Sequence, residues 1–312
     1  MDINKFEYSI IEKMVLETIK EQRRTRRWKI FFRMVWLIII AGGLFTVFGK
    51  KDIEHKKRGQ QIAIVKLTGV ISDENKTYQH LRDGLKDAMD DDKTKAVIIE
   101  ANSPGGSPVY SNMVYNEILR LRKLYPKKPI DVVVEEVCAS GCYYIASAAN
   151  KIYANPSSIV GSIGVIYTGF GLNGLMDKIG VDSRLIISGR NKAMGYPFIP
   201  ANSEQNAMQQ DMMDKIHEQF TNAVKQGRGK RLHDDPDLFS GRYWIGEDAI
   251  KLGIIDGFAS VDSLARTEYR SQNIIDFTPD EDPIDRIAKK LGVSMVDGAK
   301  QAVSLDNLAT IN

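Results

Sequence analysis

The sequence has little of several features that would indicate a function directly. It contains only two cysteines and four histidines, and its net charge is +3 over 312 residues. No CxxC pair is present, which argues against a thiolate zinc site. No RNP motif, zinc-finger spacing or basic helix beside a zipper is present either. We therefore expect no cofactor, no metal ion and no nucleic-acid partner.

The length and the pattern of apolar residues predict one large α/β domain with appendages. Hydrophobic residues make up 43% of the chain, which is enough to fill a sizeable core. Runs rich in Ile and Val alternate with helical patterns from residue 61 onward, and no internal repeat is present. Strands are predicted at Gln61–Ile71, Lys95–Ala101, Ile130–Val137, Lys151–Ala154, Ser157–Tyr167 and Ser183–Ile187. A long amphipathic helix is predicted at Glu204–Gln226.

An apolar segment near the N-terminus predicts a membrane anchor. Ile30–Phe48 holds nineteen residues with a single charge, about the length that spans a bilayer. No A-x-A site follows it, which argues against a cleaved signal peptide. Within about twenty residues of the span, Lys and Arg number seven on the N-terminal side (Lys20 to Arg33) and six on the C-terminal side (Lys50 to Lys66), so the positive-inside rule gives little bias. The acid-free cluster Arg23–Lys29 favours a cytoplasmic N-terminus.

These patterns divide the chain into five parts. Residues 1–29 form a charged N-terminal segment, 30–48 the anchor and 49–60 a polar linker. Residues 61–262 form the catalytic domain, and 263–312 a C-terminal extension.

A small-residue turn is predicted to present a serine at the end of a buried strand. In Asp131–Ala149, a β-branched run is followed by Cys-Ala-Ser-Gly-Cys and then by a helical pattern. This layout points Ser140 at a cleft and brings backbone N–H groups beside its hydroxyl. A tight crossing of a helix on a strand is the alternative interpretation.

A second loop offers an oxyanion donor. Ser103–Gly106 places two glycines where a strand turns into a helix, so the backbone can approach a bound group. No Gly-Lys-Ser/Thr follows, which argues against a phosphate loop, and a plain turn stays open. If Ser140 is a nucleophile, Gly106 and Gly141 would supply the two oxyanion N–H groups.

The base is predicted to be a lysine. No G-x-S-x-G elbow surrounds Ser140, and the four histidines fall by the membrane segment, in exposed helical patterns or in a polar loop. Burial lowers the pKa of a lysine and lets it act as a base. Lys192 is the candidate, in the glycine-punctuated loop Ser188–Pro197. An ordinary solvated lysine is the alternative.

Taken in order, four motifs resemble the signal peptide peptidase A family of membrane-anchored serine proteases. They are Asn102–Gly106, Ala139–Gly141 followed by two tyrosines, Gly161–Val165, and the serine-glycine pair four residues before Lys192. The resemblance covers about Ile62 to Phe258. It implies a Clp-protease/crotonase-like α/β fold preceded by one transmembrane helix, and a homo-oligomeric ring facing the extracytoplasmic side.

The resemblance also implies the role of each site residue. Ser140 would be the nucleophile, Lys192 the general base and Ser162 the hydroxyl that orients the lysine. Gly106 and Gly141 would be the oxyanion donors. In short members of the family, the neighbouring protomer supplies the lysine.

Two positions need comment against the family pattern. Cys142 stands where the family usually has a second glycine, and with Cys138 it is expected to be one of two buried thiols rather than half of a local disulfide. Arg190, close to Lys192, is expected to point into solvent.

The resulting hypothesis is a serine endopeptidase that cuts apolar peptides, such as signal-peptide remnants. Its partners would be peptide substrates, membrane lipid and further copies of itself. It would lie in the plasma or inner membrane, with its catalytic domain outside the cytoplasm. A catalytically silent membrane scaffold of the same fold and a crotonase-type acyl-CoA enzyme are the alternatives.

Overall fold

The computed structural model describes residues 22–40, 42 and 59–279. Residues 22–40 are helical (α1) and belong to one unit, whereas Arg58–Asp280 forms a separate compact unit. The predicted anchor at 30–48 is described only in part, since residue 41 and residues 43–48 lie outside the described ranges. Within those ranges, no helix combines the length and the apolar character needed to cross a membrane.

The sheet unit alternates strands and helices. The strands are β1 (Gln61–Thr68), β2 (Thr94–Ser103), β3 (Ile130–Ala139), β4 (Ile152–Ala154), β5 (Ile159–Gly161), β6 (Tyr243–Ile245), β7 (Gly257–Phe258) and β8 (Ile274–Asp276). The helices are α2 (Thr77–Asp90), α3 (Pro108–Leu124), α4 (Gly141–Ala146), α5 (Asn173–Ile179), α6 (Ser203–Arg228), α7 (Gly246–Ala249) and α8 (Val261–Thr267).

The strands form one mixed sheet with β3 near its centre. Its order is β6-β5-β3-β2-β1-β8, with β4 paired to the first half of β3 and β7 paired to β4. All pairings are parallel except that of β5 with β6. Because parallel strands are covered on both faces, β1, β2 and β3 consist mainly of buried apolar residues, as their β-branched runs predict. This architecture is a mixed α/β fold, as the alternation of strand and helix patterns predicts.

Two apolar layers cover the sheet. The larger core packs α2, α3, α4 and the C-terminal half of α6 against one face. A smaller core packs α8 residues such as Leu264 against Ile62, Ile98 and Val133 on the other face. The apolar residues of the predicted amphipathic helix α6 differ in burial, because Phe220 and Val224 are buried whereas Met212 is exposed.

The segment between β5 and α6 differs from the prediction. No strand forms at Ser183–Ile187, and the predicted strand Ser157–Tyr167 is reduced to the three residues of β5. Within residues 59–279, no strand pairs with this stretch of the chain. Many of its apolar side chains are exposed. None of the residues in α5 is buried. A run of residues with high β-propensity therefore forms no strand where no neighbouring strand pairs with it.

The C-terminal part of the sheet unit reaches further than the sequence suggested. β8 pairs in parallel with β1, where Ile62 is the register partner of Ile274. The compact unit includes β8 and all of α8, which begins at Val261 and so crosses the boundary predicted after residue 262. A three-residue strand has too short a pattern to stand out in the sequence.

A buried ion pair fastens the end of α6 to the sheet. Arg228 is only 2% exposed and donates to both carboxylate oxygens of Asp256, the shorter distance being 2.6 Å. The same guanidinium donates to the Gly253 carbonyl, and Asp256 accepts the N–H of Ile152 at 2.7 Å. A bidentate arginine with its donors satisfied fixes the position of the helix end.

Candidate active site

The turn between β3 and α4 holds Ser140 in an uncommon backbone conformation. Its φ is 53° and its ψ is −123°, a region that residues other than glycine rarely adopt. Its N–H donates to the Gly161 carbonyl at 2.8 Å, and its carbonyl accepts the N–H of Tyr144 at 2.9 Å. Such conformations persist where the surroundings enforce them, and they cluster at functional sites.

A disulfide spans this turn. Cys138 and Cys142 are bonded, and both residues are fully buried. The expectation of two separate thiols is therefore wrong. Their Cα atoms are 5.1 Å apart, well within the range for a disulfide, because the turn at Ser140 folds the chain back on itself.

The glycine loop after β2 is pressed between Ile71 and the serine turn. The Ile71 N–H donates to the Gly105 carbonyl, and the Ser107 N–H donates to the Ile71 carbonyl, each at 2.8 Å. A Cβ on Gly106, whose φ is +150°, would lie 2.3 Å from the Ile71 oxygen. A Cβ on Gly105 would lie 2.7 Å from the Gly141 nitrogen and 2.9 Å from the Ser140 Cβ. Only glycine allows this close approach.

The backbone nitrogens of Gly106 and Gly141 lie close to each other. A Cβ built on Gly141 would stand 3.2 Å from the Gly106 nitrogen. Within residues 59–279, neither N–H donates to another group of the chain. Two neighbouring unused donors beside a serine hydroxyl are the arrangement that stabilises a tetrahedral oxyanion.

Ser162 reaches the same cleft through strand register. Ala139 of β3 is the register partner of Gly161 of β5. Ser140 and Ser162 are the residues that directly follow these two partners in the chain. Ser162 also has a positive φ of 52°, and its N–H donates to the Arg242 carbonyl at 2.8 Å.

The cleft has a volume of about 730 Å³ and lies at the carboxyl ends of the parallel strands, where α/β sheets bind ligands. Its lining includes Ser140, Gly106, Gly141 and Ser162, which are four of the five predicted site residues. Its lining also includes the apolar residues Tyr144, Val165, Ile166, Met213, Ile216 and Phe220, interspersed in the chain with polar ones such as Gln210 and Asp214. Tyr144 stacks on Phe220 with 4.8 Å between ring centroids, which gives the cleft a rigid apolar floor.

His217 also lines this cleft, which the sequence analysis did not anticipate. It is half-buried, and its Nε2 lies 3.2 Å from the Ile163 carbonyl oxygen. A carbonyl only accepts, so Nε2 carries a proton and Nδ1 is the acceptor in a neutral ring. The sequence signal was its position beside the apolar stripe of α6, next to Ile216 and three residues before Phe220.

Lys192 lies apart from the other predicted site residues within one chain. Its side chain is exposed, its N–H donates to the Gly189 carbonyl at 3.0 Å, and it does not line the cleft. No lysine or arginine from residues 59–279 lines the cleft. Arg190 points outward as expected, with its side chain 77% exposed and 3.6 Å from Glu204.

The part of the chain that the structure describes contains no cluster of side chains suited to bind a metal ion. Across residues 22–40, 42 and 59–279, no group of three His, Cys, Asp or Glu side chains is arranged to hold an ion.

The family model of peptidase family S49 matches residues 122–273, a range that includes Ser140, Ser162 and Lys192. A putative protease of Synechocystis sp. is 31% identical over 63% of this chain and 69% of its own length. A putative signal peptide peptidase SppA of Enterococcus faecium is 31% identical over 66% of this chain and 62% of its own length.

A protein of Brucella abortus named Na+/H+ antiporter NhaA is 44% identical over 59% of this chain, but the match covers only 25% of that protein. The transport activity in its name is therefore not carried over. The chain spans between a quarter and about three fifths of the length of the first relatives it matches. Taken with the serine turn and its two glycine donors, these matches show that the chain belongs to peptidase family S49, the signal peptide peptidase A family.

Proposed function

We propose that this protein is a serine endopeptidase in which Ser140 attacks the carbonyl carbon of a peptide bond. The observation that carries the proposal is the strained Ser140 turn beside the unused N–H groups of Gly106 and Gly141. The Oγ would form the tetrahedral intermediate while these two donors hold its oxyanion. Collapse would release the amine and leave an acyl-enzyme, which water then hydrolyses.

The general base in this proposal is Lys192 of a neighbouring copy. A neutral amine would take the Oγ proton during attack and pass it to the leaving nitrogen. The Ser162 hydroxyl would orient that amine. Support comes from the cleft itself, which contains Ser140 and Ser162 but no lysine from residues 59–279 of its own chain.

An exposed apolar segment supports assembly into a ring. Between β5 and α6, Ile166, Phe170 and Ile186 are 87%, 84% and 97% exposed, and this segment also carries Lys192. Large exposed apolar surfaces of this kind mark interaction sites. Covering the segment with a second copy would bury these side chains and bring Lys192 towards a neighbour's cleft.

The substrates would be apolar peptides, including signal-peptide remnants. The apolar residues in the cleft lining would contact such side chains. Membrane anchoring through residues 30–48 is part of the proposal, and the side chains of Phe31, Trp36 and Ile38 on α1 are each more than half exposed. The Cys138–Cys142 disulfide favours an oxidising, extracytoplasmic location for the catalytic domain.

A fluorophosphonate probe tests the central claim. The probe should label the assembled wild-type protein at Ser140, and Ser140→Ala should be neither labelled nor active while remaining folded. Ser157→Ala, which changes an exposed serine, is the matched control and should keep full labelling. A silent scaffold or an acyl-CoA enzyme would leave the wild type unlabelled, and either outcome would overturn the proposal.

The membrane topology has a separate test. Protease added to spheroplasts should reach the linker at residues 49–60, because the proposed catalytic side is outside the cytoplasm. Full protection of the linker in spheroplasts, followed by digestion after lysis, would reverse the orientation.

A further inference from the structure

We infer that the Cys138–Cys142 disulfide positions the nucleophile turn, so that the oxidised protein is the efficient enzyme and the dithiol form is a slow one. The inference rests on the proposed role of Ser140. The bond closes a five-residue ring with Ser140 at its centre. Cys138 and Cys142 are assigned as positioning residues, because neither side chain lines the cleft.

The ring connects two rigid parts of the fold. Cys138 belongs to β3, where it pairs with Ser103 of β2 and Val160 of β5. Cys142 belongs to the first turn of α4 and is packed in the main core. The bond thus ties the last strand residues to the helix, and only three residues remain to form the turn between them.

Those three residues carry the atoms that the reaction needs. Ser140 supplies the hydroxyl, and Gly141 supplies one of the two oxyanion N–H groups. The positive φ of Ser140 is unfavourable for an L-residue, and a glycine beside it adds conformational freedom. A short covalent ring removes many of the alternative conformations into which this turn would relax.

Other contacts hold the turn only in part. The Ser140 N–H donates to the Gly161 carbonyl, which fixes the strand side, and the Ser140 carbonyl accepts the N–H of Tyr144. On the other side, the Gly141 N–H has no partner among residues 59–279. Losing the disulfide should therefore loosen the oxyanion donor and the hydroxyl without unfolding the domain, and a partial loss of rate is expected.

Reduction of the bond is a two-electron exchange with a dithiol. A thiolate of the dithiol attacks one sulfur and displaces the other, and its second thiol then closes a cyclic disulfide. Cys138 and Cys142 each gain one hydrogen, and the dithiol loses two. Since both cysteines are fully buried, a reductant reaches the bond only when the turn opens locally.

The sequence makes the redox test unusually clean, because Cys138 and Cys142 are its only cysteines. The full-length protein is assayed oxidised, after reduction with dithiothreitol under anaerobic conditions, and after reoxidation. The measurements are the rate of fluorophosphonate labelling, and kcat and KM on an unstructured peptide. Reduction should lower the labelling rate and kcat about tenfold with KM nearly unchanged, since small displacements of reacting groups reduce rate steeply. Reoxidation should restore both rates.

Two variants distinguish positioning from general stability. The double variant Cys138→Ser/Cys142→Ser should match the reduced wild type in labelling rate, and dithiothreitol should not affect it further. The double variant Cys138→Ala/Cys142→Gly places a glycine at position 142, where the family usually has one. Its kcat should be higher than that of Cys138→Ser/Cys142→Ser and lower than that of the oxidised wild type. All assays are run below the unfolding midpoint measured for each protein.

The outcomes separate the two proposals. Equal labelling rates and equal kcat in oxidised and reduced protein would overturn the inference and leave the proposed function standing. A lower thermal unfolding midpoint after reduction, with unchanged labelling rate and kcat, would also overturn it, because the bond would then contribute to stability alone. Absence of labelling in the oxidised and reduced forms alike would overturn the proposed function, and the inference with it.

Discussion

The N–H of Ser140 donates to the carbonyl of Gly161 at 2.8 Å, which connects the Ser140 turn to the segment that carries Ser162. This contact continues the parallel pairing of β3 with β5, where Ala139 faces Gly161. The two serines are therefore held at the same level of the sheet by backbone geometry. A hydroxyl placed in this way is suited to orient a base that enters from elsewhere.

Removing the second hydroxyl should lower the rate without removing the nucleophile. We expect Ser162→Ala to reduce kcat about tenfold with a small change in KM, because a base that is no longer oriented transfers the proton less efficiently. Steady-state kinetics on a peptide substrate measures both constants, and Ser157→Ala is the matched control. An unchanged kcat would show that Ser162 does not orient the base.

Lys192 should be required, and arginine should not replace it. Lys192→Ala and Lys192→Arg should each reduce peptidase activity to background, because a guanidinium stays protonated and cannot accept the serine proton. Lys178→Ala changes an exposed lysine of α5 in the same segment and should retain activity. An active Lys192→Arg enzyme would mean that the base lies elsewhere.

His217 is the competing base, since it lines the cleft of its own chain. We expect His217→Gln to retain at least about a third of the wild-type kcat, because its contact with the Ile163 carbonyl is one that a glutamine amide can replace. Measuring kcat for His217→Gln beside Lys192→Ala discriminates the two bases. Loss of all activity in His217→Gln, with Lys192→Ala still active, would reverse the assignment.

Mixing two inactive variants tests whether the site is shared between copies. Subunits of Ser140→Ala and Lys192→Ala, exchanged in equal amounts, should recover about a quarter of the wild-type activity, because one interface in four then joins an intact serine to an intact lysine. Exchange is verified with two different affinity tags. No recovery in rings that contain both tags would place the serine and the lysine in one chain.

The Asp256–Arg228 pair should govern acid stability. Burial alone would raise the pKa of the Asp256 carboxyl, but the hydrogen bonds and charge of Arg228 hold that pKa below its usual value. A lowered folded-state pKa adds stability that is present above the unfolded value of about 4 and is lost as pH falls towards the folded value. Denaturant unfolding between pH 7 and pH 3 should show this loss.

A substitution at Asp256 tests the same ion pair, and a substitution in an exposed ion pair is its control. Asp256→Asn should lower the free energy of unfolding by about 3–5 kcal/mol, because it leaves the Arg228 charge buried without a counter-ion. Asp211→Asn, which breaks the exposed pair with Lys215, should change it by less than about 1 kcal/mol. Equal effects of the two substitutions would show that the buried pair has no special role.

The sequence by itself determined the elements whose signal is local. The β-branched runs of β1, β2 and β3, the long amphipathic helix α6 and the small-residue turn around Ser140 follow from period, composition and turn chemistry. Local patterns also indicated Gly106 and Gly141, whereas Ser162 was assigned from the resemblance to the family, and the structure brings these three to the Ser140 cleft.

Only the tertiary structure decided how distant parts meet. The entry of His217 into the cleft depends on the packing of α6. The disulfide joins residues only four apart, and the conformation of the Ser140 turn between them is supported by a contact with Gly161 of β5. The pairing of β8 with β1 is also set by long-range contacts, and the loop of Lys192 is exposed because no strand of residues 59–279 pairs with its segment. Such contacts depend on register and packing between segments far apart in the chain, and the residues of one segment alone do not specify them.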